Sequence, residues 1–203
     1  MPKKVDLVER KNQIAAATWR VILNKGIDKA SIQNIAEEAQ MSVGLIQHNF
    51  SSKEKIIHYA MNLVLNRMEE RAKARSQTFT GTKEETLRGL MNFLIPTDDE
   101  ELMEARVWIS FLGRSFSDPT LFELQQRMDR YSRNMVQMML NLMIDLGYVD
   151  EKAEVELELE TLYAFIDGMV IHVLQSPAFY TESKVDRLIE YYLSNKKGTV
   201  PNG

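Results

Sequence analysis

Ser31, Ser42, Gln47, His48, Asn49 and Lys53 fall close together in the stretch ASIQNIAEEAQMSVGLIQHNFSSKEK, which runs from Ala30 to Lys55. Their hydroxyl, amide and ammonium groups suit recognition of a polyanion. Serines and backbone amides at helix starts bind phosphate oxygens. Gln and Asn can pair bidentately with adenine, and Val43 or Leu45 can press on a thymine methyl. Lys53 stands at the start of a helix, where its charge adds to the positive end of the helix dipole. With Gly44 these residues form the candidate DNA-binding set. No comparable set for catalysis exists. None of His48, His58 and His172 has a glutamate three residues before it, as a di-metal bundle wants. There is no G-x-S-x-G, no P-loop and no G-x-G-x-x-G. With no cysteine there is no thiolate zinc site, disulfide or thiol nucleophile. We therefore expect no enzyme, no metal and no cofactor.

Short helices must position those groups. Ser31 can cap a helix whose inward residues are Ile32, Ile35, Ala36 and Ala39. A turn, Gln40-Met41-Ser42, leads to a second helix with Ile46 inward and Phe50 closing the unit. This is the pattern of a helix-turn-helix, whose second helix enters the major groove. Two such helices cannot bury their own apolar faces. Ile14, Trp19, Val21 and Ile22 must supply a platform from one side, and Ile56 and Ile57 from the other. Along the rest of the chain, Ser51–Glu54, Thr82–Glu85 and Thr97–Glu100 have capping-box spacing. Asp118-Pro119 opens a helix, and Gly26, Gly147 and Gly198 follow periodic stretches as stops. The pattern predicts about nine helices, over 7–25, 32–39, 43–49, 52–77, 83–95, 98–115, 119–146, 151–175 and 183–195. The alternation of Val155 to Glu160 is strand-like, but it has no partner strand and continues with helical spacing, so it is assigned to helix.

The fold class expected is all-α: a three-helix N-terminal DNA-binding domain over 1–50, then a larger helical domain over 51–203. Formal net charge is −4, but it divides unevenly. Residues 1–75 hold 13 Lys+Arg against 8 Asp+Glu, and residues 76–203 hold 12 against 21. Only the head is expected to meet a polyanion. No apolar signal stretch or membrane-length run is present, so a cytoplasmic protein without a membrane partner is expected.

The segment from about residue 8 to 68 resembles the DNA-binding domain of TetR/AcrR-type transcriptional regulators. The resemblance rests on Ile14, Ala17, Gly26, Ala30-Ser31-Ile32, Ile35-Ala36, Ala39, Met41-Ser42-Val43-Gly44, Ile46, Phe50, Ser52-Lys53 and Ile56-Ile57. Downstream, Trp108-Ile109-Ser110-Phe111, Pro119, Leu124-Gln125-Gln126, Arg133-Asn134 and Ile166-Asp167-Gly168 resemble the BetI-type branch. The family usually has glycine where this chain has Gln40, in a turn position with φ > 0. It often has tyrosine at the position of Gln47, which can bond to phosphate but cannot stack.

In the larger domain, Leu162, Ile166, Met169, Val170 and Val173 form one apolar stripe, with Gly168 leaving room for close approach. Val185, Leu188, Ile189 and Tyr192 form another. Each stripe can complete the monomer core or meet a second copy. The resemblance implies the second use: a homodimer through the last two helices, placing two recognition helices on palindromic operator DNA. It also implies a small-molecule effector pocket. Glu104, Trp108, Phe111, Tyr131, Met135, Met139, Phe165 and Met169 are the candidates, with Phe116 nearby in sequence. Aromatic faces beside an acid suit a quaternary ammonium, while ordinary core packing explains each residue singly just as well. The function expected is a sequence-specific transcriptional regulator, a repressor released from DNA by an effector. A helical protein–protein adaptor is the alternative.

Overall fold

The computed structural model describes residues 2–78 and 81–197, with side chains over 7–74 and 81–197. Every regular element among them is helical: α1 (Pro2–Lys25), a 3-10 turn (Ile27–Lys29), α2 (Ile32–Ala39), α3 (Val43–Asn49), α4 (Lys53–Thr78), α5 (Lys83–Leu94), α6 (Asp99–Ser115), α7 (Pro119–Asp145), α8 (Val155–Gln175) and α9 (Glu182–Lys197). Gly198, expected to stop the last helix, lies outside the described residues.

Local chemistry sets these boundaries. The Ser31 and Ser42 hydroxyls accept from the amides of Asn34 and Leu45, each at 3.2 Å. Thr82 and Glu85 form a reciprocal capping box. Asp118 Oδ1 accepts from Thr120 N–H at 3.0 Å and Leu121 N–H at 3.4 Å, with Pro119 at the first helical position. Two caps sit one residue later than their spacing predicts. Ser52, not Ser51, accepts from the third residue, Lys55, and Asp98, not Thr97, accepts from Glu101. In both places adjacent residues can each cap, so spacing alone leaves a choice. α8 starts at Val155 instead of 151, because Asp150 Oδ1 takes the Lys152 amide at 2.8 Å and holds the chain in a turn.

Gln40 is the one non-glycine described with positive φ, at 55°. Its N–H bonds Glu37 O at 3.1 Å and Met41 N–H bonds Ala36 O at 2.9 Å. That pair of bonds ends a helix on a left-handed residue, which favours glycine. Gln40→Gly should therefore remove about 1 kcal/mol of strain, offset in part by glycine's freedom in the unfolded chain. The expected outcome is a Tm higher by about 2 °C. A lower Tm in calorimetry would contradict it.

Packing divides the described residues into two compact units. One comprises the residues up to Arg71 together with Arg106–Arg127; the other comprises Ala72–Ala105 and the residues from Met128 onward. The expected boundary after residue 50 marks where the three N-terminal helices end, but packing groups more of the chain with them. α4, α6 and α7 each contribute residues to both units.

The second unit's core takes in most of both apolar stripes. Leu162, Ile166, Met169, Val173, Val185 and Ile189 are buried within it, and Leu188 and Tyr192 pack against it. Val170 is also partly covered. Side chains already enclosed by their own subunit have little surface left for another. The outward face of α8 instead carries Leu157 (59% exposed), Thr161, Ala164, half-buried Gly168 and Ile171 (38%). The outward face of α9 carries Arg187, Tyr191 and Ser194. His172 is exposed and stacks on Tyr180 at 5.5 Å.

Candidate nucleic-acid interface

The head is built on α1. Ile14, Trp19, Val21 and Ile22 are buried, as are Ile35 and Ala36 of α2, Ile46 of α3 and Ile56 and Ile57 of α4. Trp19 Nε1 donates to the Ala60 carbonyl at 3.0 Å, and the Arg67 guanidinium lies 4.9 Å from its ring. Phe50 meets Tyr59 edge to face at 5.4 Å, and Tyr59 Oη donates to Asn12 Oδ1 at 2.8 Å. Burial pushes the Tyr59 phenol above the usual tyrosine range, so it stays a neutral donor.

With Ile46 turned inward, α3 presents Val43, Gly44, Gln47 and His48 to solvent. Leu45 is half-buried between these two faces. Asn49 is half-buried too, and its Nδ2 donates to Leu45 O at 2.8 Å, back on its own helix. The Ser31 and Ser42 oxygens accept cap bonds, which leaves each hydroxyl hydrogen available to a phosphate. Lys53 Nζ donates to Asp28 O at 3.2 Å, in the turn before α2, and keeps two donors for other acceptors. Glu54 beside it is held below the usual carboxylate range by backbone and Ser52 hydrogen bonds.

Two features of the head lay beyond sequence reasoning. Lys11 of α1 sits 5.5 Å from the Phe50 ring and 5.9 Å from the Tyr59 ring, which adds a cation near the end of α3. The only sequence signal was a lysine three residues before Ile14. The second feature is the α6–α7 corner, which packs with the head. Arg114 Nη1 lies 3.5 Å from Asp28 Oδ1, and Arg127 bonds to α4. Phe116 of this corner is 74% exposed.

The remaining pocket candidates divide between the units. Trp108 and Phe111 belong to the first, with ring centroids 4.9 Å apart. Glu104, Tyr131, Met135, Met139, Phe165 and Met169 belong to the second. Glu104 is a carboxylate only 2% exposed, and Met135, Met139 and Met169 are core residues. Phe165 stacks on Tyr192 at 4.1 Å; Tyr131 is half-buried. Burial pushes the Tyr163 and Tyr192 phenols up to about 12.

Residues 14–60 match the description "Bacterial regulatory proteins, tetR family", and residues 83–196 match "BetI-type transcriptional repressor, C-terminal". The chain belongs to the TetR family. Like its relatives in the TetR family, it is a DNA-binding transcriptional regulator, which leaves the adaptor reading without support. It is similar to the HTH-type transcriptional regulator PksA of Bacillus subtilis, 32% identical over 201 residues, or 96% of this chain and 93% of the relative. It is also similar to the regulator BetI of Serratia proteamaculans, 27% identical over 99% of this chain and all of the relative. A solved regulator of Saccharomonospora viridis in complex with choline shares the TetR fold, with TM-score 0.74, 22% identity, and coverage of 92% of this chain and 96% of that one. No described helix is long and apolar enough to cross a membrane. No group of three metal-ligating side chains occurs among the described residues.

Proposed function

We propose that this protein is a cytoplasmic repressor that binds palindromic operator DNA as a homodimer and leaves it when a small molecule enters its body. The observation that carries the reading is the outward face of α3. Val43, Gly44, Gln47 and His48 are exposed on a short helix whose Ile46 is fully buried on the opposite side. Val43, Leu45 and His48 set sequence preference; Ser31, Ser42 and Lys53 hold phosphates, and Gln47 can do either. The half-buried Asn49 supports the end of α3 more than it reaches DNA.

DNA retardation with the region upstream of the protein's own gene tests this across salt. Binding should weaken steeply as salt rises, and Lys53→Gln should lower the slope by about one unit without changing sequence preference. Salt-independent binding, or altered preference in that variant, would count against the assignment.

Gly44 gives a second test. A methyl group there meets nothing within 4 Å in the protein. Its own fold therefore supplies no reason for glycine in a helix, where alanine is better by about 1 kcal/mol. Gly44→Ala should raise the Tm by about 2 °C and weaken operator binding about tenfold, the cost of one mismatched contact. Unchanged affinity would show that DNA does not approach this backbone.

Dimerisation places the outward faces of α8 and α9 against the same faces of a second copy, with Ala164 and Gly168 allowing close approach. The effector proposed is a small organic cation. The choline held by the similar regulator from Saccharomonospora viridis supports that class. A thermal-shift screen over small cations and apolar metabolites tests it; stabilisation only by anions would overturn it.

A further inference from the structure

We propose that Arg127 is a positioning residue for DNA recognition. It fastens α7 to α4 and so sets where the recognition helix stands, without touching DNA itself. The inference rests on the dimeric DNA-binding reading above.

α3 and α4 are separated only by residues 50–52, so a shift or rotation of α4 carries the recognition helix with it. Whatever holds α4 therefore also holds α3. The Arg127 guanidinium spreads over one face of α4. Nη2 donates to both carboxylate oxygens of Glu69, at 2.8 and 2.9 Å, and reaches Asn66 Oδ1 at 3.4 Å. Nη1 donates to Asn62 Oδ1 at 3.3 Å. Asn62 is itself oriented by its own helix, through Nδ2 to the His58 carbonyl at 3.2 Å and a contact with His58 Nδ1 at 3.1 Å.

The partners stand at positions 62, 66 and 69, the spacing of one helical face. A planar fork gripped by three side chains along that face fixes both the rotation and the axial register of α4. A lysine ammonium offers one point charge and cannot do this. The Arg127 and Glu69 side chains are 39% and 38% exposed, so the pair adds little to stability. Its effect is geometric. α7 runs unbroken from Pro119 to Asp145, and Arg127 is the last of its residues grouped with the head. The grip thus ties the recognition helix to a helix that continues into the other unit.

The test uses full-length protein and the duplex that the wild type selects from a random-sequence pool, rebuilt with one base pair added between the half-sites. That insertion moves them apart by about 3.4 Å. The wild type should prefer the selected spacing by about tenfold, and Arg127→Gln should narrow this to about twofold. The salt slope should not change, because no phosphate contact is lost. Arg127→Lys should behave like Arg127→Gln, and the swap R127E/E69R should recover most of the preference. A merely structural role would lower the Tm and leave the spacing preference of each variant at the wild-type value; that result would overturn the proposal. So would a salt slope reduced by about one in Arg127→Gln, which marks a phosphate contact. A wild type that selects no duplex would overturn the DNA-binding reading itself.

Discussion

Replacing Ala164 with arginine is expected to yield a folded monomer that binds its operator at least a hundredfold more weakly. Ala164 is exposed on α8, within the outward stripe formed by Leu157, Thr161, Gly168 and Ile171. In a twofold interface each substitution occurs twice and faces its own copy or a near neighbour. Two guanidinium groups then enter a space sized for small side chains, and each must be desolvated without a partner. The subunit itself should tolerate the change, because the new side chain points into solvent. Loss of the second half-site removes most of the gap between specific and non-specific binding, which spans roughly three to seven decades. Sedimentation velocity should show one subunit's mass, with unchanged far-ultraviolet circular dichroism. Ile166→Arg is the control: Ile166 is buried in the subunit core, and that variant should fail to fold. A dimeric Ala164→Arg protein would place the interface elsewhere.

The second large effect is on stability. Trp19→Ala should cost about 3–5 kcal/mol, a large part of the roughly 5–15 kcal/mol that holds a domain together. Trp19 is 2% exposed and links α1 to α4 through its indole N–H, with Arg67 against its ring. Removing it leaves a void between α1 and α4 that neither can fill without moving. Trp19→Phe keeps most of the apolar volume and should lose only about 1–2 kcal/mol, including the bond to Ala60. Urea titration followed by circular dichroism gives both values. Equal costs for the two variants would show that the indole bond, not the volume, is what α4 depends on.

The head was legible in the sequence because its signals are local. Ser31, Gln40 and Ser42 each specify a cap or a turn through bonds to residues no more than a few positions away. The left-handed Gln40 was what the family resemblance implied, because the family usually has glycine at that turn position. Buried α1 residues followed from the needs of two helices too short to cover themselves. The second unit was harder. α8 has apolar residues on two faces, Leu162, Ile166, Met169 and Val173 on one and Leu157, Ala164 and Ile171 on the other. Periodicity records that a face is apolar, not which neighbour covers it, so it does not choose between core and interface for either stripe. Contacts distant in sequence left no trace at all: Arg127 and Glu69 are 58 positions apart, and nothing in either neighbourhood announces the other.

The division of packing through the middle of α4, α6 and α7, and not through a loop, governs how this protein can be taken apart. Among the described residues the boundary between the units falls inside helices, so cutting at it would cut through α4, α6 or α7. Severing the chain after Thr78 would strip the head of Val107, Phe111, Leu121 and Leu124, all buried residues of the same compact unit. Grafting its DNA specificity onto another regulator therefore requires two separate stretches to travel together, and a single crossover between genes would deliver only one of them.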